Sequence, residues 1–230
     1  MDLDTERDKK ALFDRISVEL DDHRVIEAML RVPREKFVPA EAAHLAYADM
    51  ALAIGHDQTI SQPYMVALMT SVLGVRRMDR VLDIGTGSGY QAAVLAELAR
   101  EVVSTERILT LIRPAERRLQ SLGYANITVK RAGRELGLPD EPRFNGIIVG
   151  AGAPKLPTEL VEQLEIGGRL VVPVGSRQEQ QLMKVVRTHD GFSVATLGGC
   201  RFVPLIGEGA WPDEGTTIEL MANHISVENK

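Results

Sequence analysis

The stretch Val81-Leu82-Asp83-Ile84-Gly85-Thr86-Gly87-Ser88-Gly89-Tyr90 limits what this chain can fold into more than any other. An apolar run leads into three glycines at alternate positions, and a helical pattern, YQAAVLAELA, follows at once. Strand, tight turn and helix in that order form the first half of a crossover unit, which requires a parallel sheet. Glycines in the turn let the backbone bend sharply and let a ligand approach it with no Cβ in the way. The spacing separates ligand classes. A dinucleotide fingerprint, G-x-G-x-x-G from Gly85, would need glycine at position 90, where Tyr90 stands. No G-x-x-x-x-G-K-[ST] run is present, which excludes a nucleoside-triphosphate loop of that kind.

The flanking segments extend the pattern. EVVSTE, ITVKR and FNGIIVGAG read as strands; RILTLIRPAERRLQSLG, with Pro114 in its first turns or at a kink, and LPTELVEQL read as helices. Strands alternating with helices predict a doubly wound α/β sheet. After GGRLVVPVG, the run QQLMKVVRTHDGFSVATLGGCRFVPLI holds β segments joined at His189-Asp190-Gly191, a hairpin signal, so an antiparallel element closes the sheet. Ahead of the glycine loop, residues 1–35 repeat apolar positions at helical spacing, with Asp21-Asp22 capping a second helix that Pro33 ends. Residues 36–62 read as irregular and site-facing. Pro63 opens a short buried helix.

Two carboxylates frame the loop. Asp83 ends the first strand of the unit, and Glu106 ends the second, 23 residues later. An acid at the end of the second strand can bind both hydroxyls of a ribose, and Asp83 can face a cationic head group. Taken singly, Asp83 could cap the next helix and Glu106 could be a solvated helix start. Composition narrows the classes further. With 230 residues, 44% hydrophobic and 26% charged, the chain is an ordinary globular protein. A net charge of −5 leaves no electrostatic footprint for nucleic acid. One cysteine, Cys200, precludes an internal disulfide and a multi-cysteine metal site, and no metal is expected. The opening MDLDTERDKK lacks the apolar core of a secretory signal, and no apolar run spans a bilayer. A cytoplasmic protein without membrane or nucleic-acid partners, acting as a monomer, is expected.

A ribose, an adenine and an amino-acid tail suit this layout, which points to S-adenosylmethionine. Asp83–Tyr90 resembles the cofactor loop of the class I methyltransferases, and the chain is most similar to the protein-L-isoaspartate (D-aspartate) O-methyltransferase family. The resemblance runs from about residue 10 to about residue 206. It includes Val32-Pro33-Arg34, Phe37-Val38-Pro39, Ala46-Tyr47-Ala48-Asp49, Ile54-Gly55-His56-Asp57-Gln58-Thr59-Ile60-Ser61-Gln62-Pro63, Ser104–Ile108, Ile147-Ile148-Val149, Gly167–Leu170 and Phe202–Leu205. The block Gln58–Pro63 is more specific than the glycine loop.

The resemblance implies a Rossmann-like, mostly parallel seven-stranded sheet with an antiparallel C-terminal element and an N-terminal helical cap. One methyltransferase domain is expected over 1–230: cap and substrate-side segment 1–62, cofactor-binding core 63–206, tail 207–230. The implied activity is methylation of the α-carboxylate of L-isoaspartyl, and possibly D-aspartyl, residues in damaged proteins or peptides. The ester then closes to a succinimide, and S-adenosylhomocysteine is the co-product. The implied catalytic residue is Ser61, with Thr59, Ile60, Val203, Pro204 and Leu205 lining the substrate side. Asp83, Gly85, Thr86, Gly87, Ser88, Gly89, Glu106, Arg107 and Gly133 would hold the cofactor. His56 reads as a hydrogen-bonded structural residue.

The sequence departs from the family's usual pattern at three places. Ala132-Gly133-Arg134 stands for Gly-Asp-Gly, so an acid near the adenine is missing, and Glu135 replaces it only with a two-residue shift. Asp57 stands for glycine. Pointing inward, ~4 Å from a substrate carboxylate, it would cost about 4 kcal/mol at an effective dielectric of ~20; pointing outward, almost nothing. Asn145 and Gly150 stand for Asp and Thr. These departures leave two alternatives open: a carboxyl methyltransferase for a dedicated peptide or small metabolite, and a non-catalytic member of the same fold.

Overall fold

The computed structural model describes residues 3–212; of the expected tail 207–230, positions 213–230 lie outside the described residues. Two strands, β1 (Leu52–Gly55) and β2 (Gln58–Ile60), form a small antiparallel hairpin. The main sheet has seven strands: β3 (Arg80–Ile84), β4 (Glu101–Glu106), β5 (Ile127–Arg131), β6 (Phe144–Val149), β7 (Leu164–Gly175), β8 (Gln180–Thr188) and β9 (Gly191–Cys200). Their spatial order is β5-β4-β3-β6-β7-β8-β9. The first five in that order run parallel, and β8 and β9 are antiparallel. The chain winds outward from β3 to β4 and β5 on one side, then from β6 to β7 on the other. A crevice therefore opens beyond the carboxyl ends of β3 and β6, where ligands of open α/β sheets bind.

Burial on both faces explains the continuous apolar strands. Val81, Val102, Ile148 and Val171 pack under α3 (Pro63–Leu73) and α4 (Tyr90–Ala96). Leu82, Ile147, Leu170 and Val172 face the opposite way, beneath α6 (Thr158–Glu162). The first turn of α3 holds Pro63, and Gly74, at φ 63, ends the helix in a left-handed cap. Pro114 sits inside α5 (Leu109–Ser121), in its second turn. The helical pattern expected to reach residue 99 stops at Ala96, because Asn126 Nδ2 donates to the carbonyls of Ala96 (3.0 Å) and Ala99 (3.3 Å). The β8–β9 hairpin turns through His189 and Asp190, as the sequence signals.

Residues 36–62 hold more order than the irregular segment read from the sequence. Short 3-10 helices occupy Arg34–Lys36 and Ala40–Leu45, one turn and two turns long, and β1–β2 follows. The strands, of four and three residues, are too short for alternation to show. His56 (φ 55) and Asp57 (φ 56) make the turn, a conformation that favours glycine and tolerates Asp. Asp57 is exposed there.

The helical cap, α1 (Leu3–Glu19) and α2 (His23–Arg31), buries Phe13, Ile16, Val25 and Met29 against Ala93 and Val94 of α4. As expected, Asp22 caps α2, accepting from Val25 N. Among the polar ties between cap and core, such as Arg31 Nε to Glu97 Oε2 (2.6 Å), one lies fully inside the apolar contact. Arg34 is wholly buried. Its Nε donates to Ala46 O (2.8 Å), its Nη2 to Ser61 O (2.8 Å), and its guanidinium lies 4.8 Å from the Tyr90 ring centre. Burial pulls its pKa below the ordinary arginine value. The guanidinium thus joins the cap, the segment carrying Ser61 and the start of α4.

Urea denaturation should separate these contributions. Leu82→Ala, in the centre of the sheet, is expected to cost about 3 kcal/mol, and Val194→Ala on the exposed β9 about 0.5 kcal/mol or less. Arg34→Ala strands the buried Ala46 carbonyl and the partly buried Ser61 carbonyl and should cost about 3 kcal/mol, although it removes a charge from the interior.

Candidate active site

Three adjoining cavities occupy the crevice. The first, about 290 Å³, is walled by Gly85 and Gly87 after β3, Glu106 and Arg107 at the end of β4, Ala132 after β5, and Leu205 with Ile206. The second, about 40 Å³, runs under the glycine loop past Asp83 and Ser88 to Ser61. The third, about 400 Å³, opens outward between Ser61, Gln62, Arg177, Arg201 and Val203. Thr59 and Gly150 border all three. A Cβ at Gly150 would sit 3.4 Å from Ile84 O, an ordinary contact, so glycine is not forced there; lacking a side chain, it widens the junction.

Both framing carboxylates are buried. Glu106 Oε2 accepts from Gly87 N (2.8 Å) and Oε1 from Ile108 N (2.9 Å). Glu106 is therefore no solvated helix start. It holds the glycine loop while keeping further lone pairs toward the first cavity. Nor does Asp83 cap α4, whose N-cap, Gly89, has no side-chain bond. Asp83 Oδ2 accepts from Ser104 Oγ (2.7 Å), and Oδ1 has no partner among the described residues. Burial pushes its pKa up to about 7; the Ser104 bond opposes the shift and nearby Glu106 adds to it. Two acids and an orphaned oxygen under a glycine loop form a place for a cation.

The loop's glycines divide the work. Gly85 (φ 96) and Gly87 (φ 51) line the cavity. Ile54 of the hairpin would lie 3.3 Å from a Cβ at Gly87, so β1 packs onto the loop. Gly89 (φ 91) touches none of the three cavities; it starts α4 beneath Leu119. Thr86 lines the second cavity and bonds Ser104 (2.6 Å). His56 Nε2 lies 2.9 Å from Thr110 Oγ1, tying the hairpin tip to α5, in line with a structural role.

Ser61 does not cap α3. Asp49, from the Ala46–Asp49 motif, accepts from Tyr64 N (2.9 Å) and from Gln62 Nε2 (3.2 Å), supplying the helix start from a distant loop. Ser61 is left at the boundary of the second and third cavities, its carbonyl held by Arg34. Of the residues expected at the site, Thr59, Asp83, Gly85, Thr86, Gly87, Ser88, Glu106, Arg107, Val203, Pro204 and Leu205 line the first or second cavity, and Ile60 the second. Gly133 lines none of the three; Ala132 takes the cavity wall. Glu135 lines a separate cavity beside Glu141 and Glu159, so no shift brings it to the site. Asn145 lies at the far end of β6, where its Oδ1 accepts from Arg80 N (2.8 Å). Sequence reasoning missed Arg177, Arg201 and the bracing role of Arg34; the motif holding Arg34 marked the segment but not the contact.

Comparison with known proteins agrees with this geometry. The sequence profile described as protein-L-isoaspartate(D-aspartate) O-methyltransferase matches residues 7–210. The chain is 50% identical over 205 residues to a Syntrophobacter fumaroxidans protein named protein-L-isoaspartate O-methyltransferase 1, covering 89% of this chain and 96% of that one. A Geobacter metallireducens protein named protein-L-isoaspartate O-methyltransferase is 47% identical over 215 residues, 93% and 100% of the two chains. Among solved structures, one titled protein-L-isoaspartate O-methyltransferase superposes with a TM-score of 0.77 at 27% identity, over 88% of this chain and 67% of that one. A Plasmodium falciparum structure titled as a complex with S-adenosyl-L-homocysteine gives 0.74 at 26%, over 84% and 96%. This chain belongs to the protein-L-isoaspartate (D-aspartate) O-methyltransferase family.

Proposed function

We infer that the protein transfers the methyl group of S-adenosylmethionine to the free α-carboxylate of isoaspartyl residues in proteins or peptides, initiating their repair. The observation that carries this reading, beside family membership, is the junction at Thr59 and Gly150. There a glycine-lined cavity with Glu106 at its wall meets an open cavity bordered by Ser61. The orphaned Asp83 Oδ1 and the side-chain-free backbone at Gly85 and Gly87 fit a cationic nucleoside.

When bound, the cofactor supplies a methyl group on positively charged sulfur, open to in-line displacement. Glu106 has the free lone pairs to accept ribose hydroxyls, and Arg107 and Ala132 flank it. Asp83 faces the cationic end. Thr59, Ile60 and Ser61 form the wall between donor and acceptor, and Ser61 orients the incoming carboxylate. That carboxylate, with an ordinary pKa near 4, is already ionised at pH 7 and needs no general base. Alignment and exclusion of water are the protein's share, and both follow from the position of the Gln58–Pro63 segment. Asp57, exposed at the hairpin tip, does not line the acceptor cavity, which removes one of the two grounds for a dedicated substrate.

Labelled methyl transfer to an isoaspartyl peptide, with the aspartyl isomer as control, tests the reading. A base-labile ester on the first peptide alone is expected; none on either overturns it. Ser61→Ala should lower kcat by about 10²-fold, while calorimetry finds cofactor affinity nearly unchanged.

Asp83 makes the unliganded protein pH-dependent. Its folded pKa, about 7, exceeds the unfolded value of about 3.9, so the stability it contributes is present in acid and lost as pH rises through 7. Thermal melts of the unliganded protein should fall from pH 5.5 to 8.5, and Asp83→Asn should flatten the trend. Ionised Asp83 favours a cation, so cofactor affinity should rise over the same interval, by up to about ten-fold per pH unit below 7.

A further inference from the structure

The brace behind Ser61 continues through the interior to the opposite side of the site. Arg34 lies 4.8 Å from the Tyr90 ring centre, and Tyr90 meets Phe37 edge to face, their ring centres 5.5 Å apart at 67°. Beyond Phe37, 5.8 Å from its ring centre, lies the guanidinium of Arg118 on α5. Both rings are buried. Cation, ring, ring and cation thus stand in a row. Each outer cation grips the backbone carbonyl of a residue that lines the second cavity: Arg34 Nη2 donates to Ser61 O (2.8 Å), and Arg118 Nη1 donates to Ser88 O (2.7 Å). Ser61 stands on the acceptor wall, and Ser88 belongs to the glycine loop. Ser61 follows β2 of the small hairpin and Ser88 follows β3 of the main sheet, so no shared sheet fixes the distance between them. The loop is braced twice by α5, since Leu119, next to Arg118, lies 3.3 Å from where a Cβ at Gly89 would stand. Arg34, Phe37 and Arg118 line none of the three cavities, so the row acts from behind.

We propose that Arg118 is a positioning residue for the methyl donor: its grip on Ser88 O, spaced from Ser61 by the row Arg34–Tyr90–Phe37, sets the gap that the methyl group crosses. The proposal rests on the reading of the first and second cavities as the donor site. In-line displacement needs the carboxylate oxygen, the methyl carbon and the sulfur aligned, and a misplacement of about 1 Å costs about 10²-fold in rate. Close-packed rings hold such a spacing because neither can shift without opening a void. A guanidinium suits both ends of the row: its planar fork donates to a carbonyl while the group rests against a ring, which an ammonium does less well. Loosening the Arg118 end frees the glycine loop, so the loss falls on the donor rather than on the peptide.

Calorimetry with S-adenosylhomocysteine and steady-state kinetics with an isoaspartyl peptide test it, run below the melting transition of every variant. Arg118→Ala should weaken cofactor binding by about ten-fold and raise KM for S-adenosylmethionine similarly, while KM for the peptide moves by about two-fold or less. Arg118→Lys keeps a donor for Ser88 O and loses the flat contact with Phe37, so it should fall between Arg118→Ala and the wild type. Arg117→Ala, at the exposed neighbouring position on α5, should change none of these quantities. Phe37→Leu leaves both arginines in place and should lower kcat by about five-fold at saturating cofactor, because the spacing between the two carbonyls is lost. Should Phe37→Leu fail to fold, the comparison of Arg118→Ala, Arg118→Lys and Arg117→Ala decides alone. Wild-type cofactor affinity in Arg118→Ala, a peptide KM that rises as much as the donor's, or an equal loss in Arg117→Ala would overturn the proposal and leave the methyltransferase reading intact. A folded Phe37→Leu with unchanged kcat would overturn the spacing role of the row. A wild type that binds no S-adenosylhomocysteine and methylates no peptide would instead overturn that earlier reading.

Discussion

The buried guanidinium of Arg34 is the contact on which the site's geometry depends. It reaches two backbone carbonyls, Ala46 O and Ser61 O, that belong to segments with no regular ladder of their own, and it stacks on Tyr90 at the start of α4. An interior charge is costly, and an apolar side chain of similar volume could fill the space. What an apolar side chain could not do is fix the distance between the Ser61 segment and the helix that follows the glycine loop. A planar fork does this with directional bonds. Asp49 complements it by capping α3, which frees Ser61 from that task. The acceptor wall is thus braced from behind by groups that touch no substrate.

The donor side is built on a different balance. Glu106 holds the glycine loop through Gly87 N, so the loop's shape and the carboxylate's direction are set together. Asp83 lies deeper, with one oxygen satisfied by Ser104 and one unsatisfied. In the unliganded protein that arrangement costs stability above neutral pH. A bound cation would offset the cost, so part of the binding energy is stored in the fold as strained electrostatics.

Much of this was legible in the sequence because it arises from local pattern. Apolar runs of five or six residues, three alternate glycines, Pro63 at a helix start and His189-Asp190 at a hairpin each act through backbone conformation or burial of neighbouring side chains. Asp83 and Glu106 were likewise placed at strand ends by the strand pattern, while the other expected cavity residues came from the family resemblance. The misreadings share a cause. The β1–β2 hairpin is too short to show alternation, and α4 is cut short by Asn126, a residue 30 positions from Ala96. Gly89 and Gly133, which the family resemblance implies as cofactor contacts, line none of the three cavities. One serves helix packing, and the other lies beyond the wall formed by Ala132.

The sequence by itself determined the parallel sheet, the position of the crevice beyond β3, the pair of acids that face it and the family, since periodicity and short motifs encode these within stretches of ten residues or fewer. Only the tertiary structure decided which way Asp57 points, that Asp49 rather than Ser61 caps α3, that Arg34 braces the Ser61 segment, and that Arg177 and Arg201 share one cavity. Those outcomes depend on contacts between residues far apart in the chain. Their energies come from burial and direction in three dimensions, which no linear spacing records.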